Sequence, residues 1–176
     1  YFERFAECTA LLLEAASVDY MDLPGSVYME MGVGNVNAGQ FFTPMHLAMA
    51  MGCMIGGDDK EVNTNVKAAI AQSPIAQALL LAGMVVPPHL GHDYLVARIL
   101  PHVHSDIKRV SVLDPACGSG VMFLAHAANA PQWMVKMGYY QYHGQDVDAL
   151  CVQMARVNNM LYGLNGFYAP IVVYMA

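Results

Sequence analysis

The sequence predicts an α/β fold in which a parallel sheet in β-α-β-α-β order follows an N-terminal helical region. Three observations predict it. Apolar residues recur at helical spacing, with helix-type punctuation, through residues 1–105; short β-branched runs replace that period from residue 106; and those runs then alternate with helical segments. The division is therefore 1–105, helical, and 106–176, the start of an α/β domain. Such alternation implies right-handed crossovers.

The elements follow in chain order. Phe5, Ala6, Cys8, Leu11, Leu12 and Ala15 share a helical stripe between Phe2 and Ala16, leaving Glu3, Glu7 and Glu14 for the other face. Asp22-Leu-Pro-Gly-Ser opens a short helix through Val27, Tyr28 and Met31, which Gly32 and Gly34 end. Thr43 is read as an N-cap and Pro44 as the first helical residue of a run reaching Met54, stopped by Gly56-Gly57-Asp58-Asp59. Glu61–Val86 reads as helix broken near Ser73-Pro74 and closed by Pro87-Pro88, and His92–Leu100 as another helix. Val110–Leu113 is the first strand, Ser119–Ala130 a helix, Tyr139–Gln145 the second strand, Val147–Tyr162 a helix and Ala169–Tyr174 the third strand.

Composition bounds the function. The chain has 176 residues, 56% hydrophobic and 12% charged, which excludes disorder and implies surface covered by another chain or a further portion of this one. A net charge of −6 is the wrong sign for a self-sufficient nucleic-acid surface, since Lys and Arg supply most non-specific grip on phosphates. The four cysteines, Cys8, Cys53, Cys117 and Cys151, form no CxxC pair, so neither a zinc knuckle nor a disulfide framework is expected. The apolar window Ile75–Val86 is shorter than the ~20 residues a membrane helix needs. No secretion signal is visible, so a cytoplasmic location is expected. Both ends look cut: the chain starts at Tyr1 and stops in an apolar run, Ile171–Ala176.

Chemistry concentrates after the first strand. Asp114-Pro-Ala-Cys-Gly-Ser-Gly120 lies at its carboxyl end, where open α/β sheets bind ligands, and Gly118 and Gly120 let the backbone approach a ligand closely. The dinucleotide pattern G-x-G-x-x-G is incomplete because Phe123 takes the third glycine position. Gly144-Gln145-Asp146 places a carboxylate at the tip of the second strand, suited to the two hydroxyls of a ribose, with Val147 beside it for an adenine face. Together they point to a nucleoside-containing cofactor.

The segments Gly39-Gln-Phe-Phe-Thr-Pro44, Val112-Leu-Asp-Pro-Ala-Cys-Gly-Ser-Gly120, Gly144-Gln-Asp-Val-Asp148 and Ala155–Gly163, in this order, resemble the modification subunit of type I restriction systems and related N6-adenine DNA methyltransferases. Asp22–Tyr28 also resembles the helical segment that precedes the first of these motifs in that family. The likeness covers about Asp22–Thr43 and Val110–Gly166 and implies a Rossmann-like methyltransferase fold that uses S-adenosylmethionine. By resemblance Phe42, Thr43 and Pro44 would contact its methionine part. Asp114, with Pro115, Ala116, Gly118 and Gly120 of the loop, would hold its amino and carboxylate ends; Asp146 would bind the ribose and Val147 flank the adenine. The partners implied are DNA and a specificity subunit or further methyltransferase subunits.

Two features depart from the family pattern. Asp58–His104 lengthens the interval between motifs and reads as an inserted helical element. The catalytic Asn/Asp-Pro-Pro-aromatic motif, which would hold a flipped base, is missing: Val86-Pro87-Pro88-His89 has neither its polar nor its aromatic residue. Truncation before that motif is the expectation, so the chain should bind cofactor without turnover, and no catalytic residue is assigned.

Three rival functions stay open. They are a methyltransferase for RNA or protein nitrogen, a non-catalytic cofactor-binding or decoy module, and an NAD-dependent oxidoreductase, the last disfavoured by Phe123. His89, His92, His102 and His104 are read as loop or partner-facing residues rather than a metal site. The fourteen methionines are read as pliable core and interface filler, Cys117 as a small loop residue rather than a nucleophile, and Asp148 as a helix cap.

Overall fold

A computed structural model describes residues 1–32, 42–55 and 59–171. The chain forms two compact units, one of Tyr1–Gly57 with Ser111–Ala176 and one of Asp58–Val110. The first unit joins two stretches of chain, because its N-terminal helices pack on helices that follow the first strand.

In the first unit α1 spans Phe2–Val18 and none of its residues is buried; Phe5 and Leu11 of the expected apolar stripe are 71% and 60% exposed. Helix α2, Leu23–Glu30, is started by Asp22, whose carboxylate accepts from the Gly25 N–H at 3.0 Å, with Pro24 in the first turn. Gly25 is required there, since a Cβ would fall 2.1 Å from Asp22 Oδ2. Helix α3 spans Met45–Ile55, and the Pro44 carbonyl accepts its first bonds from Leu47 and Ala48. Gly34, the Gly39-Gln40-Phe41 part of the first motif and the Gly56-Gly57-Asp58 stop lie outside the described residues.

The second unit contains α4, Asp59–Gln72, and α5, Pro74–Gly83, which are bent 105° at a Ser73-Pro74 break where the Ser73 hydroxyl accepts from the Ala76 N–H. Pro74 lacks the N–H that would continue α4, and Ser73 caps α5 instead. The helix expected over His92–Leu100 is α6, Gly91–Tyr94, followed by a π-turn, Leu95–Ile99, and a 3-10 turn, Leu100–His102. Pro101 accounts for the irregular end, having no N–H for the helical ladder. Among the described residues no single helix is long and apolar enough to cross a membrane; the bent pair α4–α5 meets the length and composition only jointly.

The sheet has the order β1-β2-β3, with β1 at Val110–Asp114, β2 at Tyr140–Asp146 and β3 at Gly166–Pro170. Strands β2 and β3 pair in parallel, in a register that sets Gly144 opposite Tyr168 and Asp146 opposite Pro170. Mixed α/β architecture with a parallel sheet is therefore observed. The third strand begins at Gly166 rather than Ala169. Glycine reads as a breaker in sequence, yet a Cβ here would sit 2.7 Å from both Asn159 Oδ1 and Tyr168 Cε2, so close packing demands it. Val172–Tyr174 lie outside the described residues.

Helix α7, Val121–Asn129, follows β1; α8, Gln132–Lys136, precedes β2; and α9, Ala149–Leu161, links β2 to β3. The expectation of helix from Ser119 shifts to Val121 because Gly118 and Gly120 have left-handed φ values of 52° and 83°. Asp148 caps α9 by accepting from the Leu150 N–H at 2.8 Å, which sets the helix start at Ala149 rather than Val147. One sheet face packs inward: Tyr140, Tyr142 and Tyr168 are buried, and Phe123 of α7 meets Tyr142 and Tyr168 edge-on at 5.5 and 5.7 Å. Of the methionines, Met134 and Met154 are buried, whereas Met31, Met54, Met84 and Met160 are more than 70% exposed.

Candidate cofactor site

Two motifs far apart in sequence are brought together by α3 and α7. Ala48 packs with Val121 and Ala125, and further along Gly52 faces Ala125 and Asn129. The helices thus run in the same direction, with their N-termini at one end. Gly52 permits this approach, since a Cβ would be 3.1 Å from the Ala125 carbonyl oxygen. Phe42, just before α3, lies over Gly118, just before α7: a Cβ on Gly118 would come 3.1 Å from the Phe42 ring. Tyr28 of α2 meets that ring edge-on at 5.5 Å.

The glycine loop is tied to the strand tips by backbone hydrogen bonds. The Asp114 carboxylate accepts from the Ala116 N–H at 3.0 Å, which turns the chain out of β1. The Cys117 N–H donates to the Gln145 carbonyl at 2.8 Å, and the Gly118 N–H donates to Asp146 Oδ2 at 2.8 Å. Asp146 Oδ1 accepts from the Asp148 N–H at 2.9 Å, so each oxygen of this carboxylate holds one backbone donor. Each keeps further lone-pair capacity, as does the second oxygen of Asp114. Gly144 lets the strand pass under the loop: a Cβ would be 2.6 Å from Tyr168 Cδ1 and 2.9 Å from Cys117 Sγ.

Of the residues singled out from the sequence, Phe42, Asp114, Ala116, Gly118 and Asp146 are joined in this way. Phe42, Thr43 and Pro44 line a cavity of about 270 Å³ with Asp22, Gly25, Ser26, Met29 and Met45. Asp114 and Pro115 line a second, of about 330 Å³, with Leu113, His143 and Gln145. Gly120 is buried against Ala155, where a Cβ would be 3.3 Å from Ala155 Cβ, so it serves loop packing. Val147 stands 66% exposed at the tip of the second strand. Burial pushes the Cys117 thiol up to about 12, with the Asp114 and Asp146 charges adding to it, and leaves it unsuited to nucleophilic work.

The sequence reading missed a buried polar group beneath the loop. Asp22, Ser119 and Asn158 are 6%, 0% and 1% exposed. The Ser119 hydroxyl donates to Asp22 Oδ2; Asn158 Nδ2 donates to Asp22 Oδ1 at 2.8 Å and to the Ser119 carbonyl at 2.9 Å. A signal was present: Asn158 falls on the stripe Cys151, Met154, Ala155 of α9, a polar residue at a core position.

Compared with known proteins, residues 93–172 match the sequence model of a family described as N-6 DNA Methylase. The matched stretch begins at Asp93, within the Asp58–His104 interval read as an insertion, and contains the glycine loop, Asp146 and α9. The Phe42-Thr43-Pro44 element lies outside it. No curated protein and no solved structure gave a match.

Proposed function

We propose, from the match of residues 93–172 to the N-6 DNA methylase family, that the chain binds S-adenosylmethionine at the carboxyl ends of β1 and β2. In this reading it is the cofactor-binding portion of an adenine-N6 DNA methyltransferase in a restriction-modification or related system. The observation that carries the reading is the hydrogen bond from the Gly118 amide to Asp146, with Phe42 over Gly118, which unites three separate sequence elements.

The residues present suit that cofactor. Asp114 has an acceptor left for an ammonium group, the N–H groups where α7 begins suit a carboxylate, and Asp146 has acceptor capacity for ribose hydroxyls. Phe42, Thr43 and Pro44 would border the methionine part, and exposed Val147 would offer an apolar contact to the adenine. S-adenosylmethionine supplies an electrophilic methyl group on sulfonium. The chain's own contribution is to bind and orient that group. The sequence has no Asn/Asp-Pro-Pro-aromatic tetrapeptide, so the proposal covers binding and not turnover by this chain. With a net charge of −6, contacts to DNA would come mainly from partner subunits.

Calorimetric titration of the chain with S-adenosylmethionine and with NAD tests this. Binding of the former alone, weakened by Asp114→Ala and by Asp146→Ala, is expected. A folded wild-type chain that binds neither, or that prefers NAD, would overturn it.

A further inference from the structure

The glycine loop contains its own conformational problem. Gly118 and Gly120 both have left-handed φ values, 52° and 83°, and glycine is the residue whose backbone is least restrained. Between them stands Ser119, with 0% exposure and both its polar ends committed: the hydroxyl donates to Asp22 Oδ2, and the carbonyl accepts from Asn158 Nδ2. Asn158 Nδ2 also donates to Asp22 Oδ1, and the Gly25 N–H donates to that same oxygen. Asp22, Ser119 and Asn158 are the buried polar side chains among the described residues, and they form one connected group. It links the start of α2, the centre of the loop and the third turn of α9.

This arrangement is poorly explained by stability alone. Asp22 is a buried carboxylate whose partners are neutral donors, and Asn158 Oδ1 is buried with no hydrogen-bond partner among the described residues. Apolar residues would fill the same space without leaving an acceptor unsatisfied. What polar groups add here is direction: with the Ser119 side chain and carbonyl both fixed, the peptide planes on either side of it are fixed too. The plane after Ser119 carries the Gly120 amide, aimed at the Cys117 carbonyl, and the plane before it carries the Gly118 carbonyl, which anchors the residue whose own amide is aimed at Asp146.

We infer that Asp22, acting through Ser119 and Asn158, is a positioning residue that holds the 118–120 backbone in its binding conformation and so sets cofactor affinity from beneath the loop. The inference deepens the proposed function and rests on it for the ligand, though not for the loop geometry.

The test measures hydrogen exchange at the Gly118 and Gly120 amides by NMR, thermal stability, and S-adenosylmethionine affinity in the full chain. The variants are Asp22→Ala, Asp22→Asn, Ser119→Ala and the Asp22→Ala/Ser119→Ala pair. Met134→Ala in α8, a fully buried position outside the network, is the control for simple destabilisation. Asp22→Ala is expected to speed exchange at both amides and to weaken binding about tenfold or more, with Asp22→Asn intermediate because an amide oxygen in the Oδ1 position still accepts from Asn158 and Gly25 while the acceptor for the Ser119 hydroxyl is lost. The pair should be no worse than Asp22→Ala, since both remove one contact. Met134→Ala should lower the melting temperature with unchanged amide exchange and affinity within about twofold. Equal effects of Asp22→Ala and Met134→Ala on exchange would overturn the inference. Absence of cofactor binding by the wild type would overturn the proposed function instead, and the exchange comparison would still decide the role of Asp22.

Discussion

Asp146→Asn changes one atom type and almost no volume, yet it removes an acceptor from the centre of the site. The wild-type carboxylate accepts from the Gly118 N–H at 2.8 Å on one oxygen and from the Asp148 N–H at 2.9 Å on the other. An asparagine has one acceptor oxygen, so its NH₂ must face one of those two N–H groups. Leaving one backbone donor of this kind opposed costs about 1–3 kcal/mol, less where water reaches it. If the oxygen stays with Asp148, the loop loses its tie to β2, and affinity for S-adenosylmethionine falls by about five- to 150-fold at 1.4 kcal/mol per decade. Asp148→Asn is the matched comparison. Its carboxylate caps α9 through the Leu150 N–H, and asparagine caps a helix about as well as aspartate. Calorimetry on both variants, each checked for folding by thermal melt, is the assay. Asp146→Asn binding cofactor as wild type does, or Asp148→Asn losing as much as Asp146→Asn, would refute the claim that the two-sided carboxylate organises the site.

Three further outcomes are expected. Gly144→Ala should destabilise the first unit by about 1–2 kcal/mol, because overpacking against Tyr168 and Cys117 at 2.6 and 2.9 Å outweighs the gain from a less flexible unfolded chain; an unchanged urea midpoint would contradict the crowding. Cys117, with its thiol held near 12 by burial, should resist iodoacetamide at pH 8 in the folded chain while exposed Cys8 reacts, as read by peptide mass spectrometry. His126, whose Nδ1 lies 3.1 Å from Tyr142 Oη and whose ring meets Tyr140 edge-on, is held below its usual 6.5 by burial. The unfolded chain therefore takes up that proton first. The His126 contribution is whole above pH 6.5 and is lost as the pH falls toward the folded-state value. Urea melts at pH 7.5 and 5.5 should show a smaller difference in His126→Gln than in wild type, and an identical difference would assign the acid sensitivity elsewhere.

How far the fold and site were legible in sequence depends on the range of the cause. The Ser73-Pro74 break, the Asp22 and Asp148 caps and the loop after Val110–Asp114 follow from local backbone chemistry, and all are where the residue types put them. Helix α8 escaped notice because its five residues, Gln132–Lys136, are too few to show a period. The start of β3 escaped because Gly166 reads as a breaker unless Asn159 and Tyr168 are known to crowd it. At the site, Asp114, Gly118 and Asp146 were readable from the strand-loop-helix pattern. The burial of Asp22 was not: a helix cap and a buried carboxylate look alike in sequence until the helix is docked on the loop. Asn158 could have been found, since amphipathic spacing puts it on the core side of α9.

The direction shared by α3 and α7 matters for charge as well as for shape. Among the described residues neither cavity is lined by Lys or Arg, the candidate site contains Asp114 and Asp146, and the whole chain carries −6. A negatively charged pocket of that kind repels a carboxylate unless something opposes it. The N-terminal turn of a helix presents N–H groups without intrahelical partners and a partial positive charge of about half an electron. Here two helices begin at the same end of the packed pair, one just after Phe42-Thr43-Pro44 and the other just after Gly118-Ser119-Gly120. Asp146 already receives one N–H from this loop. In the proposed function the carboxylates would give the ammonium and hydroxyl groups of a zwitterionic nucleoside their acceptors, and the helix starts would give its carboxylate donors. On that proposal an acidic chain would select a ligand with both charges without a cationic side chain, and the small residues Ala48 and Gly52 let the two helix starts come close enough for it.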